Sequence, residues 1–355
     1  MKKVLLVSNR VLHYRQKVYN YFYEAFGKDG YEFHVLANEF QQVGYALAFP
    51  HDEIPFSIRA YLRKIREIKP DCVILFLHLK NIVMLPIIFY CRLHRIPVIY
   101  WNMGINTETP NAKGKNAVFH WIHSLCDALI TYTPEMKKYF LPKSQNKLFV
   151  AYNTLNLSDI RKDELPSKAD IKKKYGIREE KVILYISRIL PYKRVDFLMD
   201  CFKDVEGVAV VIVGPGFSKE QQAVCDAHSN LYYLGEKYGA EVNEIYKIGD
   251  VFSTPGHIGL AVNEAMFWGL PIVVLKGKHA PEVYYIKDGV TGYLAKDEND
   301  YRSFMLDLLK DDEKRERMSR ATLDCYRQEV SIDRMYQGFI DAVRCCEKKR
   351  RAVRG

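Results

Sequence analysis

Two basic residues stand where the end of a strand would present them to an anionic ligand. Arg188 and Lys193 lie in residues 187–194, between a predicted strand and a predicted helix. An arginine can grip a diphosphate with its planar guanidinium, and a lysine with a compact point charge. The alternative is that both are ordinary solvated cations of a loop. Ligands of open α/β sheets bind beyond the carboxyl ends of the strands, so the pattern favours a phosphate site.

One acid interrupts an apolar predicted helix further along the chain. This helix covers residues 260–268, follows a turn-rich run at residues 255–259, and carries Glu264 in its first turns. Backbone N–H groups and the helix dipole attract an anion to such a start. A phosphate held there, with Glu264 accepting hydrogen bonds from neighbouring hydroxyls, would suit a nucleotide sugar. The alternative is that Glu264 only stabilises the start of its helix.

Two loops of the same half could also approach a ligand. Gly214 opens a Gly-Pro-Gly run after a predicted strand, which permits close backbone approach or a simple tight turn. Tyr238, within residues 235–239, could face a nucleobase, although an ordinary surface loop explains it slightly better. The Gly214 run is not a GxGxxG fingerprint, and no GxxxxGK[ST] loop occurs in the sequence.

In the first half, three polar residues follow the first predicted strand. His13, Tyr14 and Arg15 stand where a substrate could be met, and a histidine there can act as a base or bind a hydroxyl. Such a histidine can equally cap the next helix. Asn102 and Gly104 end another predicted strand at the same level.

Metal chemistry has little support in the sequence. His120 and His123 are spaced i, i+3 on one predicted helix but have no third ligand nearby, which favours packed or surface roles. No Ser-His-Asp order and no Asp-x-Asp pair is present. We therefore expect no metal and no bound cofactor.

Composition indicates a folded, basic protein. The 355 residues suffice for two domains with full cores, and 48% hydrophobic with 27% charged residues is typical of globular chains. The net charge of +10 favours nucleic acid, anionic lipid or phosphorylated metabolites as partners. Eight cysteines without CxxC spacing predict neither a zinc site nor a disulfide framework. The first residues read as a buried strand rather than a signal peptide, so we expect a cytoplasmic protein.

Predicted strands alternate with predicted helices along both halves, which is typical of βαβ units and parallel sheets. We therefore predict an α/β protein of two Rossmann-like doubly wound domains facing a central cleft. The predicted domains are residues 1–155 and 156–330, followed at 331–355 by a crossover helix that packs back on the first domain and a basic tail. Residues 300–346 are predicted to be helical throughout.

One predicted amphipathic helix, residues 57–68, has a basic face formed by Arg59, Arg63 and Arg66. A solvated helix face is the ordinary explanation. The alternative is docking on anionic lipid, with help from the basic tail at residues 348–354. Nucleic acid is not an expected partner, because no module that reads it is present.

Several of these runs, taken in order, resemble a known family. The chain resembles the C-terminal half of GT-B glycosyltransferases of family 4 in SRILPYKRVDFLMDCF, VGPGF, DVFSTPGHIGLAVNEAMFWGLPIVV and DGVTGYL. It is similar to the N-terminal half of bacterial polysaccharide-assembly members in NRVLHYRQKVYNYF and VIYWNMG. The resemblance covers nearly the whole chain, and the ordered set is specific although each piece is short.

The resemblance implies a donor site in the second domain and an acceptor site in the first. It assigns Arg188 and Lys193 to the donor diphosphate, Glu264 to the ribose, and the backbone N–H groups of Gly259 and Leu260 to the phosphates. Arg188, Lys193 and His13 are the expected catalytic residues. The expected donor-binding residues are Arg188, Lys193, Gly214, Tyr238, Gly256, His257, Ile258, Gly259, Leu260 and Glu264, and the expected acceptor-binding residues are His13, Tyr14, Arg15, Asn102 and Gly104.

Two positions depart from the family pattern. Family members carry a glutamate eight positions before Glu264, where this chain has Gly256, beside His257. That glutamate contacts the transferred sugar, and a deoxysugar such as fucose would need fewer acceptors there. Many relatives also place a histidine where this chain has Met103. His13, Asn102 or a substrate group would then have to substitute, or activity would be low.

The resemblance implies a retaining, metal-independent glycosyltransferase. It would move a sugar from a GDP- or UDP-linked donor to a glycan or lipid-linked saccharide, in cell-surface polysaccharide or glycan biosynthesis. Peripheral contact with the inner face of the cell membrane is a further expectation. Two alternatives are a sugar-nucleotide epimerase of the same architecture and a catalytically inactive nucleotide-sugar-binding protein. The epimerase would convert the donor with no acceptor present.

Overall fold

The computed structural model describes residues 1–42, 44–107 and 109–354, and of residues 350–354 it describes the backbone only. The predicted basic tail therefore lies mostly outside the described side chains. The chain divides into two compact units. Unit 1 comprises Met1–Asn156 and Ser331–Gly355, and unit 2 comprises Leu157–Val330.

The strands alternate with helices through both units. The strands are β1 (Lys2–Ser8), β2 (Arg10–Val11), β3 (Tyr31–Ala37), β4 (Glu39–Phe40), β5 (His51–Glu53), β6 (Cys72–Phe76), β7 (Val98–Trp101), β8 (Ala128–Thr131), β9 (Leu148–Val150), β10 (Lys181–Ile186), β11 (Val208–Val213), β12 (Leu231–Tyr233), β13 (Val251–Phe252), β14 (Ile272–Leu275) and β15 (Gly292–Ala295). The helices are α1 (His13–Lys28), α2 (Ile58–Ile68), α3 (Met84–Leu93), α4 (Lys113–Leu125), α5 (Pro142–Gln145), α6 (Lys168–Lys174), α7 (Val195–Phe202), α8 (Lys219–Ala227), α9 (Ala240–Ile248), α10 (Ala261–Phe267), α11 (Glu298–Lys310), α12 (Asp312–Cys325) and α13 (Ile332–Arg354).

Unit 1 is built on a parallel sheet in the order β5-β3-β1-β6-β7-β8-β9. Its central strands are continuous apolar runs, as expected where helices cover both faces of a sheet. The long helix α13 packs on α1, β8 and β9, and buries Tyr336, Phe339 and Val343. The predicted return of the C-terminal helix to the first domain is confirmed.

Unit 2 is built on a second parallel sheet in the order β12-β11-β10-β13-β14-β15. The pairing of β10 with β11 runs in register from Lys181 beside Val208 to Ile186 beside Val213. Both sheets thus have the doubly wound order, in which the chain reverses direction across the sheet beside its first strand. The prediction of two Rossmann-like domains with parallel sheets is confirmed.

The reversal fixes where each unit can hold a ligand. In unit 2 it falls between β10 and β13, and the segments that follow these strands are residues 187–194 and 253–260. In unit 1 it falls between β1 and β6, and α1 begins at His13 shortly after β1. A crevice outside the carboxyl ends of the strands opens at such a point, so the predicted polar residues stand at favourable places.

The C-terminal part differs from the prediction of uninterrupted helix over residues 300–346. Asp311 ends α11 and caps α12, because its carboxylate accepts the N–H of Lys314 at 2.9 Å. A π-helical turn at Tyr326–Val330 then separates α12 from α13. Among the described residues, no helix is long and apolar enough to cross a membrane.

Candidate active site

The two segments at the reversal point of unit 2 are joined by their backbones. The N–H of Gly256 donates to the carbonyl of Lys193 at 3.1 Å, and the N–H of His257 donates to the carbonyl of Tyr192 at 3.2 Å. The structure therefore brings together the two stretches that the sequence singled out. They follow neighbouring strands and meet at the same sheet edge.

Lys193 is the more enclosed of the two predicted phosphate ligands. Its ammonium donates to the hydroxyl of Ser187, and Arg188 is exposed beside it. Burial, and next the charge of Arg188, lower the pKa of Lys193 to about 8. Among the described residues, no carboxylate lies within ion-pair distance of Lys193. A bound anion would compensate the cost of keeping this ammonium charged in a partly dehydrated place.

Glu264 is held by a residue that the sequence did not single out. The hydroxyl of Tyr246 donates to Glu264 Oε2 at 3.2 Å. Burial, and then the Glu264 carboxylate, raise the pKa of Tyr246 well above its usual range, so the phenol keeps its proton and remains a donor. One carboxylate oxygen is thereby oriented, since Tyr246 is fixed by the packing of α9.

The absence of a side chain at residue 256 has a steric explanation. A Cβ atom on residue 256 would lie 2.0 Å from the carbonyl oxygen of Tyr192 and 2.9 Å from the Cα of Lys193. The backbone of residues 192–193 therefore occupies the space that a side chain would need. Only glycine lets the two segments approach this closely, and a glutamate could not stand at 256 unless the backbone moved.

His257, next to Gly256, is oriented through its ring. Its Nδ1 lies 2.9 Å from the carbonyl of Lys278, and the Tyr192 ring contacts it edge-on with centroids 5.8 Å apart. A carbonyl only accepts, so Nδ1 carries the proton and Nε2 is the acceptor in the neutral ring. His279 behind it is kept neutral, since burial lowers its pKa, and its Nε2 donates to the carbonyl of Leu275 at 2.8 Å.

Two other predicted donor residues have clear local roles. Gly214 has φ 134, and a Cβ there would lie 2.0 Å from the carbonyl oxygen of Ser187. This glycine thus permits close packing of the loop after β11 on the loop after β10. Tyr238 is 70% exposed, and its hydroxyl donates to Glu236 in the same loop. Its ring is available for stacking.

In unit 1, His13 is exposed at the first position of α1. Its Nδ1 lies 3.1 Å from Oε1 of Gln41, which also accepts the His13 backbone N–H at 3.1 Å. An amide oxygen only accepts, so Nδ1 is protonated and Nε2 is left as an acceptor or base. Gln41 lines a cavity of about 350 Å³ together with Gln16, Tyr45, Asp52 and Glu53, among others. Amides, carboxylates and a phenol are suitable groups for binding sugar hydroxyls.

Arg15 is buried rather than presented to solvent. Its guanidinium donates to Oδ1 of Asn153 at 2.6 Å and lies 4.8 Å from the centroid of the Trp101 ring and 5.7 Å from that of Phe76. The side chain is 5% exposed, and its Nε and Nη1 have no hydrogen-bond partner among the described residues. Aromatic faces can stabilise such a cation. Arg15 therefore connects α1 to Trp101 of β7 and to Asn153, which lies just after β9.

Asn102 and Gly104 form a tight turn after β7 that is held by a hydrogen bond between them. Oδ1 of Asn102 accepts the N–H of Gly104 at 2.7 Å and the Nε2–H of His123 at 3.0 Å. Burial lowers the pKa of His123 to about 3, so this ring is neutral. Gly104 has φ 91, and a Cβ there would lie 2.7 Å from Cβ of Tyr139. His123 thus has the packed role that its spacing favoured.

Residues 167–323 match the family model of the glycosyl transferases group 1. This stretch contains both segments at the reversal point of unit 2 and the helix that carries Glu264. Two curated relatives are similar to parts of this chain. A sulfoquinovosyl transferase of Arabidopsis thaliana is 28% identical over 152 residues, or 41% of this chain. A trehalose synthase of Pyrococcus horikoshii is 23% identical over 265 residues, or 68% of this chain. The alignments span 30% and 62% of these relatives.

Solved structures match over almost the full length. A glycosyltransferase of Rickettsia africae has a TM-score of 0.75 at 13% identity, covering 98% of this chain and 99% of the other. HepE of Anabaena, crystallised with UDP, has a TM-score of 0.72 at 16% identity, covering 97% and 99%. A UDP-GlcNAc 2-epimerase of Neisseria meningitidis has a TM-score of 0.66 at 15% identity, covering 96% and 99%. The fold is that of the GT-B glycosyltransferases.

Proposed function

We propose that the protein is a glycosyltransferase that takes a sugar from a nucleoside-diphosphate sugar bound by unit 2. The observation that carries the proposal is the cationic pair Arg188 and Lys193 at the reversal point of the sheet, neither of which forms an ion pair with a carboxylate among the described residues. Both residues lie within residues 167–323, the stretch that matches the family model of the glycosyl transferases group 1. HepE of Anabaena, which shares the fold, was crystallised with UDP and with UDP-glucose.

The two cations would act on the leaving diphosphate. When the bond from the sugar to the donor phosphate breaks, negative charge grows on the phosphate oxygens. Preorganised donors aimed at such developing charge supply a large part of many enzymes' catalysis. Arg188 offers a planar fork and Lys193 a point charge, so the proposal needs no metal ion. Backbone N–H groups of Gly259 and Leu260 would complete the phosphate contacts, and Glu264, oriented by Tyr246, would accept the ribose hydroxyls.

The transferred sugar would meet His257 instead of the family glutamate. With glycine at 256, no carboxylate reaches the sugar from that position, and Nε2 of His257 is the acceptor nearest in sequence. One imidazole accepts fewer hydrogen bonds than a carboxylate, which favours a sugar with fewer hydroxyls, such as a deoxysugar. Transfer would proceed with retention of configuration by front-face attack, as the family resemblance implies.

Unit 1 would bind the acceptor, a glycan or lipid-linked saccharide of cell-surface polysaccharide assembly. His13 is the residue proposed to take a proton from an acceptor hydroxyl, because in its neutral ring the hydrogen bond to Gln41 leaves Nε2 as the unprotonated nitrogen. The cavity lined by Gln41, Asp52 and Glu53 begins beside it. Arg15, Asn102 and Gly104 would contribute by holding this region of unit 1 in shape, and Tyr14 by direct contact.

The donor assignment is tested by ligand-dependent thermal unfolding with UDP, GDP, ADP and CMP. A ligand that binds only the folded state raises the melting temperature by mass action. We expect a rise with UDP or GDP that disappears in Arg188→Ala and persists in Arg302→Ala, which removes an exposed arginine on α11. An undiminished rise in Arg188→Ala would contradict the assignment.

An epimerase is a second candidate, because the UDP-GlcNAc 2-epimerase of Neisseria meningitidis shares the fold over nearly the whole chain. Such an enzyme would invert a centre of the donor sugar without any acceptor. Proton NMR of each nucleotide sugar after incubation with the protein separates the candidates. A new epimer in the absence of acceptor would favour the epimerase, whereas unchanged sugar configuration, with slow release of nucleoside diphosphate, favours the transferase.

A further inference from the structure

One surface of unit 1 exposes large apolar side chains from two neighbouring helices. On and just before α3, Ile82 is 65% exposed, Phe89 49% and Leu93 80%. On α4, Val118 is 45% exposed and Trp121 46%. The rings of Phe89 and Trp121 lie 6.4 Å apart, so the two helices contribute to one continuous surface. We call these five residues the α3–α4 patch.

The folding of unit 1 does not explain this patch. The inward face of α3 is already filled by Met84, Ile87, Ile88 and Cys91, which are buried. A helix on a protein surface ordinarily turns a polar face to water. Here the outward positions 89 and 93 of α3 are apolar too, as is Ile82 just before the helix, and α4 repeats this at 118 and 121. Contiguous exposed apolar surface of this kind marks an interaction site.

The charged residues next to the patch in the sequence are mostly basic. Between Asp71 and Asp127 the only acidic residue of the sequence is Glu108. The same stretch contains five basic residues, namely Lys80, Arg92, Arg95, Lys113 and Lys115, all exposed. The Nη1 of Arg92 donates to the carbonyl of Leu125 at 2.9 Å and so ties the end of α3 to the end of α4. The patch is therefore an apolar and aromatic surface with exposed basic residues beside it in the sequence.

We propose that the α3–α4 patch docks unit 1 on an anionic membrane surface. Trp121, Phe89 and Leu93 enter the boundary between head groups and acyl chains, where aromatic and aliphatic side chains are favourable. Arg95, Lys113 and Lys115 meet the lipid phosphates. The proposal stands apart from the proposed function, because it makes no use of the donor or acceptor sites.

Charge decides between a membrane and a second copy of the chain. In a two-fold symmetric dimer the same patch would face itself, and the basic residues of one copy would oppose those of the other. Juxtaposed like charges disfavour that arrangement. An anionic bilayer complements the same charges, so it is the occupant that the surface fits.

The basic face of α2 fits a membrane less well. Arg63 lies 3.8 Å from Glu67, and Lys64 lies 2.7 Å from Asp52, so neighbouring acids offset part of its charge. The basic residues beside the α3–α4 patch, by contrast, form no ion pair among the described residues, and the patch itself is bulky and apolar. The membrane contact expected from the sequence at α2 and the C-terminal tail is therefore assigned instead to α3 and α4.

Flotation of the full chain with vesicles tests the proposal. One set is phosphatidylcholine alone and the other is phosphatidylcholine mixed with phosphatidylglycerol. We expect binding to the mixed vesicles only. Leu93→Glu and the double variant Lys113→Gln with Lys115→Gln should each weaken it at least about tenfold. Val290→Glu, at a 50% exposed position of unit 2, is the matched control and should bind like the wild type.

Tryptophan emission gives a second readout. Trp121 is 46% exposed and Trp101 is 1% exposed, so entry into lipid should shift the emission of Trp121 to the blue. Trp121→Phe should keep binding and lose that shift. Absence of binding to mixed vesicles would overturn the proposal. So would loss of binding in Arg59→Gln with Arg66→Gln while Leu93→Glu still binds, or a dimer on gel filtration that Leu93→Glu converts to monomer.

Discussion

Lys193 shows how a single residue can be costly to the fold and useful to the site. Its ammonium is partly buried, has Arg188 as a neighbour, and is satisfied only by the hydroxyl of Ser187 among the described residues. Charged groups in such surroundings are common where a ligand of opposite sign binds. The partly buried ammonium of Lys193 has two measurable consequences, one for the stability of the protein and one for its pH dependence.

Replacing Lys193 by methionine should stabilise the free protein while abolishing nucleotide binding. The pKa of Lys193 is lowered from 10.5 to about 8, so the folded protein holds this proton less tightly than the unfolded chain does. The loss of folding stability caused by the charged Lys193 ammonium is therefore present in full below pH 8. It disappears as the pH rises from 8 to 10.5. In chemical unfolding at pH 7, the free energy of unfolding of Lys193→Met should exceed that of the wild type by about 1–3 kcal/mol, and this difference should shrink above pH 8.

The control is Lys219→Met, at an exposed position of α8, which should change neither stability nor binding appreciably. Wild-type affinity for nucleoside diphosphate should itself fall as the pH rises above 8, because the uncharged amine no longer attracts the phosphates. A Lys193→Met variant that is less stable than the wild type at pH 7 would contradict this interpretation of the site.

Gly256 should tolerate no side chain. A Cβ would meet the carbonyl oxygen of Tyr192 at 2.0 Å, so Gly256→Ala must separate the two backbone segments. We expect a loss of about 1–3 kcal/mol in the free energy of unfolding, measured in urea. Gly259→Ala is the matched control, because no atom lies within 4 Å of its added Cβ. Equal stability of the two variants would show that the close approach is absent.

At the scale of elements, α13 shows how packing can reverse an intrinsic preference. Gly338 lies within this helix, and a Cβ there would approach the carbonyl oxygen of Val150 to 2.4 Å and the Cα of Ala151 to 2.7 Å. Glycine in a helix is normally unfavourable by about 1 kcal/mol relative to alanine. Here it lets the helix lie directly on the end of β9.

Alanine substitutions in two helices of unit 1 should therefore act in opposite directions. Gly338→Ala should destabilise the protein, because the backbone of β9 cannot give way without disturbing the sheet. Gly27→Ala, in α1, meets nothing within 4 Å and should stabilise by a few tenths to about 1 kcal/mol. Thermal unfolding of both variants beside the wild type checks the pair, and stabilisation by Gly338→Ala would count against the packing of α13.

Much of the element pattern could be predicted, and the failures have physical causes. The strands were readable because parallel sheets bury continuous apolar runs. The interruption of the C-terminal helix at Asp311 was missed, since the aspartate run 311–312 looks like ordinary helix surface until one carboxylate caps the next helix. Helix α3 contains Pro86, a residue that normally breaks a helix, but it stands in the first turn, where its missing N–H has no intrahelical partner.

Most of the candidate site residues are indicated by the sequence through their place after a strand, and Glu264 through its place in an apolar helix. The place of Arg188 and Lys193 after β10 makes them candidates, whereas nothing in the sequence singles out Tyr246 and Tyr192. Tyr246 is 18 residues from Glu264, and Asn153 is 138 residues from Arg15, so only the fold brings these partners together. Arg15 was expected to face the acceptor, and its aromatic enclosure by Trp101 and Phe76 has no local sequence signal.

At the scale of the molecule, each unit carries its own doubly wound sheet and its own reversal point. The proposed function divides between them, with the donor held by unit 2 and the acceptor by unit 1. The net charge of +10 agrees with this division, because the proposed donor, and the proposed membrane surface, are both anionic. The proposed chemistry depends on the cation pair Arg188 and Lys193.

The most direct test is the release of nucleoside diphosphate from UDP- and GDP-linked sugars, with and without a lipid-linked saccharide fraction as acceptor. We expect release from at least one donor, faster with acceptor, and roughly 100-fold or more slower in Arg188→Ala. Arg302→Ala should behave like the wild type. Release at the wild-type rate by Arg188→Ala, or no release from any donor that the protein binds, would contradict it.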